Sequence, residues 1–317
     1  YKLRRLKMYR KFKIFTALTL SVLILLFIAK IILFDLSNIS EKTSYEIDLD
    51  NIRQLASADV KELPIHINSL VVSEFSYPAS IAVAGDGLFK NYRLITPLYQ
   101  IIYRDKSILI DTGIDEKNHQ KYFSKFPFYK EKFNKAVKAM EKADKILLTH
   151  EHMDHIGGLG GLPGIENFTK YSKIIITEEQ LNSRVFKDVI LPQEFKENLI
   201  PVKYDKYYSP ASGIVFIKAA GHTPGSQMIY VQLADNSEFI FVGDVVWHNN
   251  SIKNLKERAN LVKHAFLKED VSAVQGQIRA LHNLIYIQKE RINLVISHDS
   301  DQYNNYIREG ILKEGLE

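Results

Sequence analysis

Four apolar segments of this chain each end at, or just before, a histidine or an aspartate, and this pattern constrains the fold more than any other feature. The segments are 144–150, 213–219, 239–244 and 292–299, and the first runs into THEHMDHIGG at residues 149–158. Short apolar runs of this length predict buried strands. The ligand-type side chains at or just after their ends are His150, His152, Asp154, His155, His222, Asp244 and His298.

The motif at residues 150–155 crowds three histidines and one aspartate into six positions. Imidazole and carboxylate are the usual ligands of zinc and similar metals. A sharp turn after a strand can aim His150 and His152 at one point and Asp154 and His155 at a neighbouring one. The motif therefore predicts part of a two-metal site that ligands from the other strand ends complete.

The remaining pattern predicts strands with helices interspersed and further helices late in the chain. Further strands are expected at 65–73, 80–84, 99–104, 107–113, 173–177 and 228–233. Helices are expected at 128–142, 254–266 and 271–288, with another opening at IGGL (156–159) and a loop at 85–92. This order predicts an α/β fold in which helices cover the sheets.

The series H-x-H-x-D-H, G-H-T-P-G, a strand ending in G-D and a strand ending in S-H resembles the metallo-β-lactamase-fold hydrolase superfamily, and its lactonase-like branch in particular. The resemblance covers about residues 65–300, and ILIDTG at 108–113 is similar to an early strand–aspartate motif of the family. It implies a four-layered αβ/βα sandwich with the metals at one edge of the sheets.

The resemblance also implies a role for each candidate residue. His150, His152 and His222 would hold a first metal, and Asp154, His155 and His298 a second. Asp244 would bridge the two metals, and Asp111 would fix the orientation of a ligand from outside the centre.

The expected chemistry follows from two cations about 3.5–4 Å apart, which share a water, lower its pKa and supply hydroxide at neutral pH. Asp154, which can move a proton, and Asp244 are the expected catalytic residues. Di-iron members carry a carboxylate where this chain has His152, which favours two Zn²⁺ over iron, with other divalent metals left open. Glu151 is then expected to point to solvent.

Residues beside the motifs carry weaker expectations. The other histidines are expected to be structural or solvated, with His248 as the one that can line the pocket; they are His66, His119, His248, His264 and His282. Trp247 stands where lactone-hydrolysing members carry a tyrosine, and it either shapes an apolar pocket or packs in the core. Tyr207 and Tyr208 are alternative substrate contacts or packing residues. Specificity is expected from the loops 77–98, 112–130 and 184–212.

The N-terminal residues predict a membrane anchor. Seven Lys or Arg and no acid occupy residues 1–13, and residues 14–34 are apolar except for Lys30. As a helix, 21 residues span about 30 Å, the thickness of a hydrocarbon core. The basic flank predicts a cytoplasmic N-terminus and a periplasmic or extracellular catalytic domain. A signal peptide, with an apolar region of about 7–15 residues, and a buried helix are the alternatives.

The chain is thus divided into a basic flank (1–13), a single-pass anchor (14–34), a linker or loosely packed lead-in (35–64) and a hydrolase domain (65–317). Of the net charge of +5, the flank carries +7, which leaves −2 for the rest. This balance argues against a nucleic-acid partner. The absence of cysteine excludes disulfides, thiolate metal sites and a cysteine nucleophile.

The expected function is metal-dependent hydrolysis of a small ester, lactone or thioester, with an acyl lactone as the most specific expectation. A phosphodiesterase of the same fold is one alternative. A membrane-tethered metal-binding protein without catalysis is the other. The partners expected are a small-molecule substrate and the membrane, and the oligomeric state is left open.

Overall fold

The computed structural model describes residues 2–58, 62–165 and 173–317. The strands are β1 (His66–Pro78), β2 (Asn91–Ile102), β3 (Ser107–Ile110), β4 (Lys145–Leu147), β5 (Ile174–Ile175), β6 (Tyr207–Ala211), β7 (Ile214–Lys218), β8 (Gln227–Gln232), β9 (Glu238–Phe241), β10 (Ile292–Val295) and β11 (Lys313–Glu314). Across these ranges they form one sheet in the order β11-β1-β2-β3-β4-β5 and another in the order β10-β9-β8-β7-β6.

Helices surround these sheets. They are α1 (Lys2–Lys30), α2 (Leu49–Ser57), α3 (Ala79–Ala82), α4 (Glu116–Phe123), α5 (Lys130–Lys142), α6 (Met153–Ile156), α7 (Glu178–Asn182), α8 (Arg184–Asp188), α9 (Gln193–Asn198), α10 (Asn249–Asn254), α11 (Val271–His282) and α12 (Ser300–Arg308). Shorter π-helical turns occupy Ile31–Asp35, Leu261–Leu267 and Asn283–Ile287, and 3₁₀ turns occupy Gly157–Gly161 and Gly243–Val245.

Three apolar cores show the layering. One joins the inner faces of the two sheets, where Ile101 and Ile108 of the first sheet pack with Phe216 and Phe241 of the second. Another covers the outer face of the first sheet with α5 and neighbouring helices. The third covers the outer face of the second sheet with α2 and α11. The arrangement is helix, sheet, sheet, helix, which confirms the predicted four-layered sandwich.

One pair of parallel strands in each sheet positions the candidate site. β3 pairs in parallel with β4, and β9 pairs in parallel with β10. Carboxyl ends of parallel neighbours lie at the same edge of a sheet. The residues that follow these four strands, Asp111, His150, Asp244 and His298, therefore reach one end of the sandwich.

The structure corrects two of the predicted elements. Residues 80–84 were expected to form a strand, but α3 covers Ala79–Ala82, since alanine favours helix and the segment has no strand partner there. Residues 254–266 were expected to form a helix, but α10 ends at Asn254, where Leu255 adopts a left-handed φ of 51°. The chain then runs without helix until the π-helical turn Leu261–Leu267.

Three further elements begin or end differently from expectation. β2 begins at Asn91, well before residue 99, because β1 and β2 pair along almost their whole lengths. The helix expected to open at 156 begins at Met153, so Asp154 and His155 lie on it. α12 was not predicted, although Asp299 caps it by accepting from the backbone N–H groups of Asp301 and Gln302.

The lead-in at residues 35–64 is packed more closely than expected. Asp48 caps α2 by accepting from the backbone N–H of Asn51, and Ile52 and Ala56 are fully buried against the second sheet with Ile39. The expectation of loose packing is wrong for residues 39–56, because this segment supplies part of the outer core. Residues 59–61 lie outside the described residues, and the proposed division of the chain at 64 stays a prediction.

The N-terminal helix is long and apolar enough to cross a membrane. The candidate span covers Arg4–Asp35, with a mean hydropathy of 2.7 in its most apolar window and none of that window buried. Its far end is attached to the body: the Gly85 N–H donates to the Phe34 carbonyl over 3.1 Å, and the Asn260 side chain donates to the Ile32 carbonyl over 2.7 Å.

Candidate metal centre

The first group of candidate ligands consists of three histidines from two turns. His150 and His152 follow β4, and His222 follows β7. The nitrogen atoms converge: His150 Nε2 lies 3.0 Å and His222 Nε2 lies 2.9 Å from His152 Nδ1. With an Asp244 oxygen, the four ligand atoms lie within 4.8 Å of one another. The structure thus assembles the three side chains predicted for one metal.

The second group lies beside the first and mixes imidazole with carboxylate. It consists of Asp154, His155 and His298, whose ligand atoms also lie within 4.8 Å of one another. His155 Nε2 is 3.3 Å from His298 Nε2, and the latter is 3.6 Å from Asp154 Oδ2. α6 carries Asp154 and His155, while the end of β10 carries His298.

Asp244 lies between the two groups. Its Oδ2 is 3.4 Å from His222 Nε2 and 3.7 Å from His150 Nε2. Its Oδ1 is 3.0 Å from His298 Nε2 and 3.3 Å from His155 Nε2. Oδ2 also lies 3.3 Å from His298 Nε2. Oδ1 therefore faces the second group, and Oδ2 lies between the two groups.

The turn before Asp244 fixes this placement. Gly243 has a φ of 56°, and a Cβ atom at this position would lie 3.1 Å from the Thr149 Cβ. A side chain here would meet both backbone strain and a close neighbour, so glycine allows Asp244 to approach the turn after β4.

The donor set fits divalent cations. Asp244 Oδ1 is buried and makes no hydrogen bond within the part of the chain that the structure describes. Burial lowers the pKa of His150 and of His152 well below the usual range, and their histidine neighbours lower it further. Both rings are therefore neutral bases that face a shared point, which is the form of histidine that binds metals.

Asp244 is ionised in this site. Burial favours its neutral form, but the neighbouring His298 and His155 outweigh burial and hold the pKa of the Asp244 carboxyl well below its usual range. A charged carboxylate with a free, buried oxygen is a strong cation ligand.

Hydrogen bonds from outside the centre set the ring orientations. His155 Nδ1 donates to Asp111 Oδ2 over 2.8 Å, and His298 Nδ1 donates to the Ile95 carbonyl over 2.6 Å. Asp111 also accepts from the Thr149 N–H over 2.7 Å and has a φ of 58°. The structure thus places Asp111 behind a candidate ligand, which is where the sequence analysis expected it.

A buried ion pair with no local sequence signal supports the first group. His222 Nδ1 donates to Glu269 Oε1 over 2.6 Å, and Arg258 forms an ion pair with the same oxygen. Arg258 Nη2 also donates to the Asp244 carbonyl over 2.6 Å. Sequence analysis missed both residues. Glu269 lies 47 positions from His222, and Arg258 lies 14 positions from Asp244, beyond a helix end that the sequence analysis misplaced.

Glu151 does not point to solvent, so that expectation is wrong. It is fully buried, and it accepts from the Thr223 hydroxyl over 2.8 Å and from the Gly225 N–H over 3.3 Å. Burial raises the pKa of its carboxyl. Glu151 thus joins the turn that carries His150 and His152 to the G-H-T-P-G turn that carries His222.

A cavity of about 510 Å³ opens directly on this centre. Its lining combines centre residues with apolar and aromatic side chains: Phe75, Tyr77, Ile81, Leu94, Tyr122, Phe123, His152, Met153, Asp154, Asp244, Trp247, Val262, Phe266, Leu267 and His298. Trp247 Nε1 donates to Asp244 Oδ2 over 2.7 Å, so the single tryptophan shapes the pocket. Tyr77, the first residue of the expected loop 77–98, also lines the pocket.

The pocket is built from only part of the expected loops. Residues 77–98 and 112–130 contribute to its lining, the described segment 184–212 does not, and the turn Leu261–Leu267 was not expected. Tyr207 and Tyr208 are partly buried against the apolar cores of the sandwich and do not line the cavity. His248 stacks on Tyr92 at 3.9 Å between ring centres and keeps a packing role.

Solved structures share this fold. An N-acyl homoserine lactone hydrolase with N-hexanoyl-L-homoserine bound at its metal centre is 15% identical, with a TM-score of 0.60 over 77% of this chain and 96% of that chain. An AiiA mutant from B. thuringiensis is 16% identical, with a TM-score of 0.60 over 77% and 96%. A probable metal-dependent hydrolase from Staphylococcus aureus is 15% identical, with a TM-score of 0.53 over 76% and 91%.

The sequence comparisons point the same way at the level of the family. No curated protein sequence matches the chain significantly. The profile of the metallo-beta-lactamase superfamily matches residues 93–286, more than half of the chain and the part that carries six of the seven candidate ligands. The chain therefore belongs to the metallo-beta-lactamase superfamily and is a metal-dependent hydrolase.

Proposed function

We propose that this chain is a membrane-anchored hydrolase with two zinc ions, which cleaves the ester bond of an acyl lactone or a closely related small ester. One observation carries the proposal: the Asp244 carboxylate lies between two groups of candidate ligands that border an apolar cavity. In this proposal His150, His152 and His222 hold one ion, and Asp154, His155 and His298 hold the other.

The ligand chemistry supports zinc. Five imidazoles and two carboxylates, with no thiolate, suit zinc better than they suit the all-oxygen sites of magnesium or calcium. When bound, two such cations supply Lewis-acid chemistry, which lowers the pKa of a water and polarises the carbonyl under attack.

The residues of the chain position the reactants. Asp154 has a side chain that is 12% exposed and lines the cavity, so its carboxylate can take a proton from the attacking water and deliver it to the leaving oxygen. Burial and then the charge of Asp154 raise the pKa of Tyr77. The Tyr77 hydroxyl therefore keeps its proton and can donate to the substrate carbonyl.

The cavity supports an acyl substrate. Its volume is within the range of small-molecule sites, and apolar side chains such as Phe75, Leu94 and Phe123 offer a surface to an alkyl chain. The lactone ring is suggested by the N-acyl homoserine lactone hydrolase whose fold this chain shares.

The basic flank and the apolar helix support an anchor with a cytoplasmic N-terminus and a catalytic body on the outer side. Alkaline phosphatase fused to the C-terminus is expected to be active in a bacterial host, because it folds only outside the cytoplasm. Inactivity of that fusion, with activity of a cytoplasmic reporter at the same position, would reverse the topology.

The hydrolase proposal is tested on the full chain in detergent, purified without chelator. Elemental analysis is expected to find close to two zinc ions per chain. A screen of lactone, thioester, aryl ester and phosphodiester substrates is expected to show turnover of acyl lactones, with a loss of roughly 1,000-fold or more in Asp244→Ala. His264→Ala, which removes an exposed histidine, is the matched control.

Each outcome of this screen has one meaning. Phosphodiester cleavage without lactone turnover would replace the proposed substrate class. Two zinc ions with no turnover of any substrate would favour a metal-binding protein without catalysis. Fewer than one ion per chain after zinc is supplied would overturn the two-metal proposal.

A further inference from the structure

The anchor is joined to the body without a flexible tether. The apolar run of the sequence ends at Phe34, and the Phe34 carbonyl already accepts from the Gly85 N–H over 3.1 Å. The Asn260 side chain bonds the Ile32 carbonyl, and the Ser37 hydroxyl accepts from the Glu257 N–H over 2.9 Å. The body therefore touches the anchor at the level where the chain leaves the hydrocarbon.

The two body segments that meet the anchor also line the cavity. α3 packs on the turn Ile31–Asp35, and its Ile81 is a cavity residue. The segment that carries Asn260 continues into Val262, Phe266 and Leu267, which form the cavity wall on that side. The Ala259 N–H donates to the Ile81 carbonyl over 3.3 Å, so the two segments are joined to each other.

Exposed apolar side chains mark the same region. Phe266 is 72% exposed although it lines the cavity, and Leu36, the second residue after the apolar run, is 50% exposed. Phe89, four residues after Gly85, is fully exposed. Large aromatic side chains left in water carry a cost that contact with the lipid interface removes.

The geometry points to a cavity whose mouth lies against the membrane, with Phe266 in the lipid interface, so that the substrate enters from the bilayer. This inference rests on the proposed function and on the anchor, and it deepens both by naming the substrate class. The substrate would be an amphiphile with a long acyl chain that partitions into lipid and presents its ester or lactone group at the surface. It holds for either topology, because the body always follows the C-terminal end of the anchor.

The placement of Phe266 can be tested without any substrate. The chain contains no cysteine, so Phe266→Cys and Ile200→Cys each provide one labelling site for an environment-sensitive fluorophore. Ile200 is 79% exposed and is therefore the matched control. It lies two residues before Val202, which pairs with Thr177 just after β5, an edge strand of the first sheet. Both variants are used as full chains in phosphatidylcholine vesicles.

A probe at position 266 is expected to lie about 5–10 Å deep, at the boundary of headgroups and acyl chains. Lipids that carry a quencher near the top of the acyl chain should therefore quench its fluorescence at least about twofold more than that of a probe at position 200. Equal and weak quenching at both positions would overturn the inference. That result would leave the hydrolase proposal intact, because it involves neither metal nor turnover.

The entry route is tested by turnover. A long-chain acyl lactone is supplied either in the vesicles that hold the full-length wild type or in separate protein-free vesicles at the same total concentration. Turnover in the shared vesicles is expected to be about 10-fold faster, because the substrate is then confined to the same membrane. Equal rates, with normal turnover of a short soluble lactone, would overturn bilayer entry. No turnover of either lactone would overturn the proposed function. The quenching result would still show whether the mouth of the cavity lies against the membrane.

Discussion

The two ligand groups of the centre differ in how their histidines are charged. Burial lowers the pKa of His150 and His152 in the first group. Burial acts in the same direction on His155 of the second group, but the carboxylates of Asp244 and Asp111 outweigh it and raise the pKa well above the usual value. Carboxylates therefore outweigh burial at His155 of the second group, whereas burial dominates at His150 and His152 of the first group.

This difference suggests a division of labour. In the first group, burial favours the neutral forms of His150 and His152, and the buried ion pair of Glu269 and Arg258 holds His222. The second group includes Asp154, whose side chain lines the cavity. We expect the first group to bind its metal with the higher affinity, and the second group to combine metal binding with contact to the substrate.

The largest effect is expected when one histidine is removed from either group. His222→Ala and His298→Ala are each expected to bind one zinc instead of two and to lose roughly 100-fold or more in kcat/KM, because the two-metal chemistry needs both ions. Elemental analysis and kinetics on each variant check this, with His264→Ala as control. Loss of both ions in either variant would show that the groups do not bind independently.

The carboxylates that hold a histidine of each group from outside the centre are expected to have the next largest effect. Glu269→Gln and Asp111→Asn each remove a carboxylate that holds one ring, and each is expected to weaken zinc binding about 10- to 100-fold in its own group. Asparagine tolerates the left-handed φ at position 111, so the backbone is kept.

Competition with a chromophoric chelator measures this affinity, and Glu309→Gln, an exposed carboxylate, is the control. Unchanged affinity in both variants would reduce these carboxylates to folding roles.

Tyr77→Phe tests the substrate side of the second group. Removing the hydroxyl is expected to lower kcat/KM about 10-fold with two zinc ions still bound, because one hydrogen bond to the developing negative charge is lost. Steady-state kinetics and metal content on the same preparation check this. Wild-type kinetics would show that Tyr77 only shapes the cavity wall.

Trp247→Phe is expected to have the smallest effect. It removes the 2.7 Å hydrogen bond to Asp244 Oδ2 but keeps an aromatic ring in the wall. The other contacts of Asp244 remain, so the expected loss in kcat/KM is about threefold, less than the full worth of a hydrogen bond to a charged group. A loss as large as that of His298→Ala would mean that the indole fixes Asp244 more tightly than its neighbours do.

The placement of the candidate ligands could be predicted from sequence because each comes soon after the end of a strand, while their role as metal ligands stays a prediction. Local turns place His150 and Asp244, and the order of the motifs along the chain predicts the other candidate ligands. Glu151 was misjudged, since its partners Thr223 and Gly225 lie more than 70 positions away. The role of Arg258 was not predicted because Arg258 was expected to lie within a helix. That helix ends at Asn254, where the single residue Leu255 adopts a left-handed conformation.

The two ends of the chain cross over between the halves of the sandwich. α2, near the N-terminus, packs on the second sheet, whose strands span residues 207–295. β11, near the C-terminus, pairs with β1 of the first sheet, where Asn68 lies opposite Lys313. The first half therefore needs strands up to residue 314, and the second half needs both α2 and strands up to residue 295.

Folding is then dominated by contacts distant in sequence, which slow it and discourage a stable half-folded state. The body should accordingly melt in a single transition, and a fragment that begins at residue 65 should fail to reach the native state.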